Sequence, residues 1–380
     1  MIPMLMILDV YCIILLAFVC WLVFISSSNV IYFRISQKKT RLKKGPKISV
    51  LIPARNEEKR ISPTLDALMK QDYADFEVIV LDDNSTDATL EIIENCAKKH
   101  ERLEVLKGAK LPDGWKGKPF ALVQLAERAN GDYLVFLDAD VVPKQDFLSW
   151  VADRMHCLSA DSMSGYIHHR AKSVREYIFF SLMYILNMAL LPFWLIRCTR
   201  SSLFSHAVGQ LFVFTRKAYD EIGGFGIVSN SILEDLQMVR AVKKAGFSHV
   251  FLDAKKVLEG YMYDSWEHTI DGIRRSVFLY FDKKIYPLVI VNFFILVFMV
   301  LPAVFIPLAI LGNWSQTLWI LIANFGILFS WCITLYDRRM PWYVPFFYPF
   351  QFLIAVILSW VSAADEISGR GYHWKDRSVL

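Results

Sequence analysis

Long apolar runs lie at both ends of this 380-residue chain, and shorter runs alternate with polar stretches in its middle. The first run, Met4 to Ser26, offers about 20 mostly apolar residues, enough to cross a hydrocarbon core of roughly 30 Å as a helix. Three further long runs are Tyr286 to Leu311, Gln316 to Leu335 and Trp342 to Ala363. The pattern predicts one N-terminal and about three C-terminal transmembrane helices.

The middle of the chain alternates apolar strand patterns with amphipathic helix patterns. The strands are "ISVLIP", "FEVIVLD", "LEVLK" and "DYLVFLD", and the helices run from about Lys59 to Gln71, from about Ala88 to Lys99, from near Lys118, and from about Lys144 to Leu158. This alternation predicts an α/β domain with a mostly parallel sheet covered on both faces. We place this domain at residues 47–283, after an anchor and linker at 1–46 and before membrane segments and a tail at 284–380.

Basic residues suggest which side of the membrane the domain occupies. The first apolar run is followed by Arg34, Lys38, Lys39, Arg41, Lys43, Lys44 and Lys47. By the positive-inside rule, this flank and the central domain are cytoplasmic at a cell membrane. Four simple spans would leave the C-terminal tail outside, whereas Arg370, Lys375 and Arg377 favour the inside. That question stays open, and a re-entrant terminal segment is one solution.

Composition narrows the class of protein. The chain is 55% hydrophobic and 21% charged, which is too apolar for an ordinary soluble enzyme. Its net charge of +5 is modest, and the basic residues do not alternate with aromatic ones, so we expect no nucleic-acid partner. The six cysteines form no CxxC pair and are expected to be reduced packing residues.

Carboxylates follow several of the predicted strands. The fourth strand ends in "LDADV", with Asp138 and Asp140 one residue apart, and the first two end in "IPARNEE" and "LDDNSTDAT". In parallel sheets, ligands bind at the carboxyl ends of strands. Strand alternation would send Asp138 and Asp140 to the same side, where they could hold a divalent cation together with phosphate oxygens. The plainer alternative is a set of solvated turns and helix caps.

A second acidic pair lies farther along the chain. Glu234 and Asp235 stand near the start of a predicted helix, after the glycine-rich "EIGGFG". The helix dipole alone favours carboxylates in a first turn. A carboxylate here could also deprotonate an incoming acceptor.

Taken in order, these motifs resemble the family 2 glycosyltransferases, which have a GT-A fold. The resemblance covers Ile48 to about Gly260 and rests on "PARNEE", "DDNSTD", "DAD", and "GGF" followed by "ED", with "GWKGKPFAL" between them. The arrangement of anchor, domain and later spans is most similar to membrane-bound members that glycosylate lipids, such as the carotenoid (diaponeurosporenoate) and hopanoid-associated groups.

The resemblance implies roles for individual residues. It implies an inverting transfer from a nucleotide-sugar donor, with UDP preferred, to a lipid-like membrane acceptor, and a divalent cation, Mg²⁺ or Mn²⁺. Asp140 would be the metal ligand, Asp235 the general base, and Glu234 its neighbour near the acceptor. The donor-binding residues would be Pro53, Asn56, Glu57, Asp83, Lys118 and Asp138.

One departure from the family pattern keeps other functions open. Processive polysaccharide synthases carry a Q-x-x-R-W motif after "ED", whereas this chain has "SWEHTIDGIRRSVFLYF". Arg274 and Arg275 in that stretch could approach a diphosphate or simply lie on a helix surface. A processive synthase is therefore the second enzyme hypothesis, and a non-catalytic scaffold is the alternative from another class.

An apolar segment also lies inside the domain. Residues 176–196 could span a bilayer, but the acidic motifs before and after them must reach the same donor. We therefore predict an interfacial or re-entrant helix whose aromatic residues lie at the headgroup level, with a buried core helix as the alternative. His168, His169 and His206 flank it and receive no role beyond possible acceptor contacts.

Overall fold

The structure is a computed structural model that describes residues 2–36, 42–170, 173–231, 233–260 and 283–368, and in addition residues 270, 277, 278, 281, 372–374 and 377–379. In this part of the chain, four helices are long and apolar enough to cross a membrane, one before and three after the central domain. The predicted set of membrane helices is thus confirmed by length and composition, and it marks a membrane protein. Lys38, Lys39, Arg41, Arg274, Arg275, Arg370 and Lys375 lie outside the described residues.

A seven-stranded sheet forms the centre of the domain, in the order β3-β2-β1-β4-β8-β6-β9. Its strands are β1 (Ile48–Ala54), β2 (Phe76–Asp82), β3 (Leu103–Lys107), β4 (Tyr133–Leu137), β6 (Ser162–Tyr166), β8 (Leu211–Thr215) and β9 (His249–Asp253). The strands β1 to β4 are parallel, and β8 is antiparallel to β4 and β6 on either side of it. Since β9 is parallel to β6, only β8 runs against the others, and the predicted mixed, mostly parallel sheet is confirmed.

The central strands β1, β2 and β4 are mostly apolar because both faces of the sheet are covered there. In β1, Val50 and Ile52 belong to the core on one face and Leu51 to the core on the other. The first core is closed by α2 (Ile61–Leu68), α3 (Thr89–Ala97) and α5 (Phe147–Cys157), and the second by α4 (Gly117–Arg128), α8 (Arg216–Ile222) and α9 (Glu234–Lys244). The helices predicted from periodicity are present, with ends shifted by one to three residues.

A second, three-stranded sheet lies directly after the acidic motif that follows β4. It consists of β5 (Val141–Pro143), β10 (Leu258–Gly260) and β7 (His168–His169), in that order. Because β5 begins one residue after Asp140, its pairing with β10 fixes the exit of the acidic turn. The tail contains a short hairpin of β11 (Tyr372–Trp374) and β12 (Arg377–Val379).

The membrane helices pack around one apolar cluster. They are α1 (Ile2–Ser36), α10 (Ile285–Leu311), α11 (Thr317–Asp337) and α12 (Tyr348–Ile367), the last preceded by a 3-10 turn at Val344–Phe347. Residues 296–300 of α10 form a π-helical turn. Leu15 of α1, Trp331 of α11 and Phe352 of α12 are fully buried in the shared cluster.

The apolar segment inside the domain forms α6 (Val174–Leu190) and, after Pro192, α7 (Phe193–Cys198). On one side Leu182 and Ile185 pack against the membrane helices, and on the other Tyr184 packs against the domain. Asn29 of α1 holds the break between α6 and α7: its side-chain nitrogen donates to the carbonyls of Met188 and Leu191, and its oxygen accepts from the Phe193 amide. The predicted interfacial position in a bilayer stays a prediction.

The aromatic residues of this segment differ from the expectation. Phe180, Tyr184 and Phe193 are buried inside the protein, so they do not face lipid headgroups. Phe193 stacks on Phe251 of β9 at 5.0 Å between ring centroids. Aromatic content alone did not distinguish headgroup contact from packing against the sheet.

A buried charge cluster joins the domain to the membrane helices. Lys255, two residues after β9, lies 2.9 Å from Asp253 and 2.6 Å from Asp337 at the end of α11. Arg338 forms a salt bridge with Asp253, and Arg34 of α1 approaches Asp337 at 3.5 Å. The ends of α1 and α11 that carry Arg34 and Asp337 are therefore the ends that face the domain.

Candidate active site

The acidic motif after β4 forms a tight turn. The Asp138 amide donates to the Gln210 carbonyl, and the Val141 amide donates back to the Asp138 carbonyl. The Thr64 hydroxyl donates to the Ala139 carbonyl. Hydrogen bonds to three separate parts of the chain thus hold the backbone of the turn in place, and this backbone holds the two carboxylates in an outward orientation.

The two aspartates of the turn face different partners. The strand ends at Leu137, so strand alternation does not apply to Asp138 and Asp140, and the expectation that it would turn them to one side is corrected. Asp138 lies 2.6 Å from Lys118, whereas Asp140 lies 3.1 Å from Arg60. Each carboxylate is balanced by a cation from another part of the domain.

Lys118 lies at the centre of an acidic pocket. It stands in the first turn of α4, and Asp138, Glu234 and Asp235 surround its ammonium group. The pocket is completed by Gly209 and by Pro53 at the end of β1. A Cβ atom at position 209 would lie 3.5 Å from the Lys118 nitrogen and 3.7 Å from Glu234. The bare backbone of Gly209 therefore reaches the charged groups, and its amide donates to Asp235.

The pKa values of this pocket are strongly shifted. Burial acts to lower the pKa of Lys118, but the three carboxylates outweigh it and raise that pKa above its ordinary value. Burial, opposed by Lys118 and reinforced by Asp235, raises the pKa of Glu234 to about 7. Burial also raises the pKa of Asp235, against hydrogen bonds from backbone amides and the charge of Lys118. Shifts of this kind are typical of groups that exchange protons.

The predicted donor residues at the ends of β1 and β2 form a separate, connected group. The Asn56 side-chain oxygen accepts from the Thr86 amide at 2.9 Å, and the Glu57 amide donates to Thr89 at 2.7 Å. The Asp83 amide donates to the Ala54 carbonyl at 2.7 Å. These bonds hold two strand-end loops together, so Asn56, Glu57 and Asp83 shape one rim of the crevice, while Pro53 belongs to the pocket itself.

Two contributors were missed by sequence reasoning. Arg60, the basic partner of Asp140, lies in "NEEKR". The two residues are 80 positions apart in the sequence, so no local pattern predicts their contact. Gly209 lies in a loop before β8 and has no pattern around it. The only hint to Arg60 in the sequence is that this basic residue lies close to the acidic motif "PARNEE".

The flanking histidines are packing residues in this structure. His169 bonds to the Tyr184 hydroxyl and to the Gln210 side chain, and burial lowers its pKa to about 4. His206 lies against Tyr166, and burial lowers its pKa to about 4 as well. Both are neutral near pH 7 and do not supply protons to an acceptor.

The raised pKa of Glu234 has a consequence for stability. A carboxyl whose pKa is higher in the folded chain contributes stability below its unfolded pKa and loses it as the pH rises through about 7. We therefore expect Glu234→Gln to raise the melting temperature by about 2 °C or more at pH 8, and by much less at pH 5. The measurement is thermal unfolding of the detergent-purified protein at both pH values. Glu101→Gln, at an exposed position, is the control, and an equal shift at both pH values would contradict the electrostatic explanation.

The fold and the site together define a mostly parallel α/β domain with an acidic pocket at its strand ends. Comparison with known families places it more closely: residues 49–223 match the model of "Glycosyl transferase family 2". The sequence-based resemblance of this part of the chain to the family 2 glycosyltransferases, a family of transferase enzymes, is confirmed. The finer likeness to carotenoid and hopanoid-associated enzymes stays a prediction.

Individual relatives support the same family. The chain is 29% identical over 224 residues to a probable glycosyltransferase, YdaM, of Bacillus subtilis (strain 168), covering 57% of this chain and 51% of the relative. It is 35% identical over 105 residues to the Methanococcus voltae "dolichyl N-acetyl-alpha-D-glucosaminyl phosphate 3-beta-D-2,3-diacetamido-2,3-dideoxy-beta-D-glucuronosyltransferase", covering 27% of this chain and 31% of the relative. The chain thus matches about half or less of the length of these relatives.

One solved structure resembles nearly the whole chain. It is a mannosyltransferase from Pyrobaculum calidifontis in complex with GDP-Man and Mn²⁺, with a TM-score of 0.54 and 15% sequence identity. The similarity covers 96% of this chain and 99% of that one. At this identity the comparison concerns the fold, and it confirms the predicted GT-A fold.

Proposed function

We propose that the protein is an inverting, metal-dependent glycosyltransferase of the cell membrane, with its catalytic domain on the cytoplasmic side. It moves a sugar from a nucleotide-sugar donor, with UDP preferred, to a lipid-like acceptor. The observation that carries the proposal is the gathering of Asp138, Glu234 and Asp235 around Lys118 at the carboxyl ends of the strands. A domain that only binds a partner has no physical need for such a buried, like-charged group.

The site divides the work between a pair of carboxylates and an ion pair. Asp235 lies at the start of α9 and accepts the acceptor's proton, while Glu234 lies beside it and faces the acceptor. Asp138 and Lys118, which lie 2.6 Å apart in the same pocket, orient the donor. A base opposite the leaving group allows a single in-line displacement, which inverts the anomeric carbon.

A divalent cation fits the chemistry of the acidic turn. Asp140 offers hard oxygen ligands, and Arg60 now balances the charge that a cation would balance. No group of three or more metal-binding side chains occurs among the described residues, so a cation held by Asp140 would take further ligands from the donor's phosphates. When bound, the cation stabilises the charge of the departing diphosphate.

The acceptor proposal depends on how the domain is attached. The domain packs through α6 and the Asp253 cluster against helices that are long and apolar enough to span a membrane. An acceptor dissolved in that membrane reaches the site without leaving its surface. The name of the Methanococcus voltae relative describes a dolichyl-linked acceptor, which agrees with this class.

Arg60 should compete with the cation for Asp140. We expect Arg60→Ala to lower the Mn²⁺ concentration needed for half-saturation by about three- to tenfold, because removing a partly exposed ion pair frees the carboxylate. The measurement is calorimetric titration of Mn²⁺ alone into the purified protein. Lys59→Ala, at the exposed neighbouring position, is the control and should leave the affinity unchanged. Weaker Mn²⁺ binding by Arg60→Ala would show that Arg60 supports the cation instead.

The inverting mechanism is tested by the stereochemistry of the product. An α-linked nucleotide sugar should give a β-linked glycolipid, as read from the anomeric proton coupling in the NMR spectrum of the purified product. A product that keeps the α configuration would overturn the single-displacement mechanism and the role of Asp235, while leaving the transferase class intact.

A further inference from the structure

The ends of the membrane helices can be ordered by their contacts. Arg34 and Asp337 mark the end that faces the catalytic domain. At the opposite end, the Gln316 side chain, just before α11, donates to Asp9 of α1 at 2.6 Å. The helices α1 and α11 therefore run parallel, each from the far end to the domain end.

The long helix α10 starts at the domain end. Its last part lies at the far end, since the Thr317 hydroxyl donates to the Ala309 carbonyl and the ring of Phe305 lies 5.7 Å from that of Tyr11. A helix of 27 residues is about 40 Å long. Ile285, at its other end, is therefore near the domain end, where the chain leaves the domain.

The helix α12 starts inside the apolar layer, between the middle of α11 and α6: the Tyr348 hydroxyl donates to Asn324 of α11, and the Gln351 side chain donates to the Ile178 carbonyl of α6. Val344, in the 3-10 turn that leads into it, belongs to the same buried cluster as Leu335, two residues before Asp337. Only a short connection separates α11 from this turn, so the chain re-enters the apolar layer from the side on which α11 left it.

The contacts of the second half of α12 lead back to the same end. Asn292 of α10 donates to Ser359 at 2.8 Å, and Glu366 pairs with Lys283 at 2.5 Å. As α12 advances from Ser359 to Glu366, its partners move backward along α10 and past its first residue. The last turn of α12 thus lies at the domain end and its first turn inside the apolar layer, although its length and composition alone would allow it to cross.

One face of α12 is buried and contains polar residues, and the opposite face is exposed and apolar, as expected of a helix that lies within one leaflet. Its buried face contains Gln351, Ser359, Ser362 and Asp365. Its exposed residues recur at helical spacing and form one apolar stripe: Phe350 at 58% exposure, Leu353 at 41%, Ile357 at 53% and Trp360 at 45%. The stripe continues the apolar outer surface of the neighbouring candidate spans.

We propose that α12 does not cross the bilayer but lies within the leaflet next to the catalytic domain, its exposed stripe in contact with the acyl chains of that leaflet. The chain then crosses three times, through α1, α10 and α11, and its C-terminal tail is on the side of the active site. This placement gives Arg370, Lys375 and Arg377 the same side as the basic linker after α1, as the positive-inside rule requires. It does not depend on which reaction the domain performs.

Cysteine labelling in oriented membrane vesicles tests the proposal. In a variant with all six native cysteines replaced, and shown to stay monodisperse, single cysteines are placed at three exposed positions: Ser368→Cys after α12, Lys217→Cys in the domain and Ser315→Cys in the far loop. A membrane-impermeant maleimide should label Ser368→Cys and Lys217→Cys from the same side, and Ser315→Cys from the other.

The contrary result is equally clear. Labelling of Ser368→Cys from the side that labels Ser315→Cys would show that α12 crosses and would overturn the proposal. Labelling in detergent confirms that each cysteine is reactive. If Ser368→Cys is silent even there, a cysteine added after Leu380 takes its place in the same comparison.

Discussion

Asp140→Asn should reduce sugar transfer by about a thousandfold or more and remove the dependence of UDP binding on Mn²⁺ or Mg²⁺. The asparagine keeps the size of the side chain but loses the charge that holds a hard cation against the donor phosphates. It also loses the charge that pairs with Arg60. The measurement is transfer to a membrane lipid extract, together with calorimetric UDP binding with and without the cation.

The matched control is Asp75→Asn. Asp75 is an exposed residue just before β2, at the opposite end of the strands from the acidic turn. The same chemical change there should leave transfer and UDP binding unaltered. Unchanged turnover in Asp140→Asn would reject Asp140 as the metal ligand, and an equal loss in both variants would point to a general effect on folding.

Asp235→Asn should lower turnover by about a hundred- to ten-thousandfold for a hydroxyl acceptor, with UDP binding retained. The reason is that removal of the acceptor proton is assigned to Asp235, and the cation and the donor are assigned to Asp140, Asp138 and Lys118 instead. Steady-state kinetics should show the loss in kcat more than in the KM for the donor. A carboxylic acid acceptor, already ionised near neutral pH, would reduce the effect.

The control for Asp235→Asn is Asp220→Asn, at an exposed position on α8. It should keep wild-type kinetics, because it lies outside the pocket. Wild-type turnover by Asp235→Asn on a hydroxyl acceptor would reject the general-base role.

Local sequence patterns were enough to predict the strands β1 to β4. The strands β1, β2 and β4 are largely buried on both faces and therefore appear as mostly apolar runs, whereas the edge strand β3 is only partly buried. β6 was not found, because "SMSGY" has no such run, although every residue in it is buried. Its place is set by β8, which inserts between β4 and β6 and pairs residues far apart in sequence. Such long-range pairing leaves no local signal.

The part of the candidate site that follows the parallel strands could be predicted from the sequence. Asp138 follows the parallel strand β4 and lies at the carboxyl edge of the sheet, as the strand-end argument predicts. Glu234 and Asp235 share its pocket from the first turn of α9, a position that the strand-end argument does not cover. The pairing of Asp140 with Arg60 instead depends on how one turn is oriented. That orientation follows from the hydrogen bonds of the turn backbone, which the order of residues does not reveal.

Hydropathy likewise has a limit in the membrane part. It measures whether a helix is long and apolar enough to cross, and by that measure α12 qualifies. The direction of a helix depends on its neighbours, and the pairing of Lys283 with Glu366 could not be read from either segment alone.

The central claim is transfer of a sugar from a nucleotide donor to a lipid, and its most direct test is an assay with the detergent-purified protein. UDP-glucose and other nucleotide sugars are offered with a membrane lipid extract, with and without Mg²⁺ or Mn²⁺. We predict a cation-dependent lipid product carrying a single sugar. A ladder of longer products would favour a processive synthase, and no turnover together with no cation-dependent UDP binding would contradict the enzymatic account and favour a scaffold.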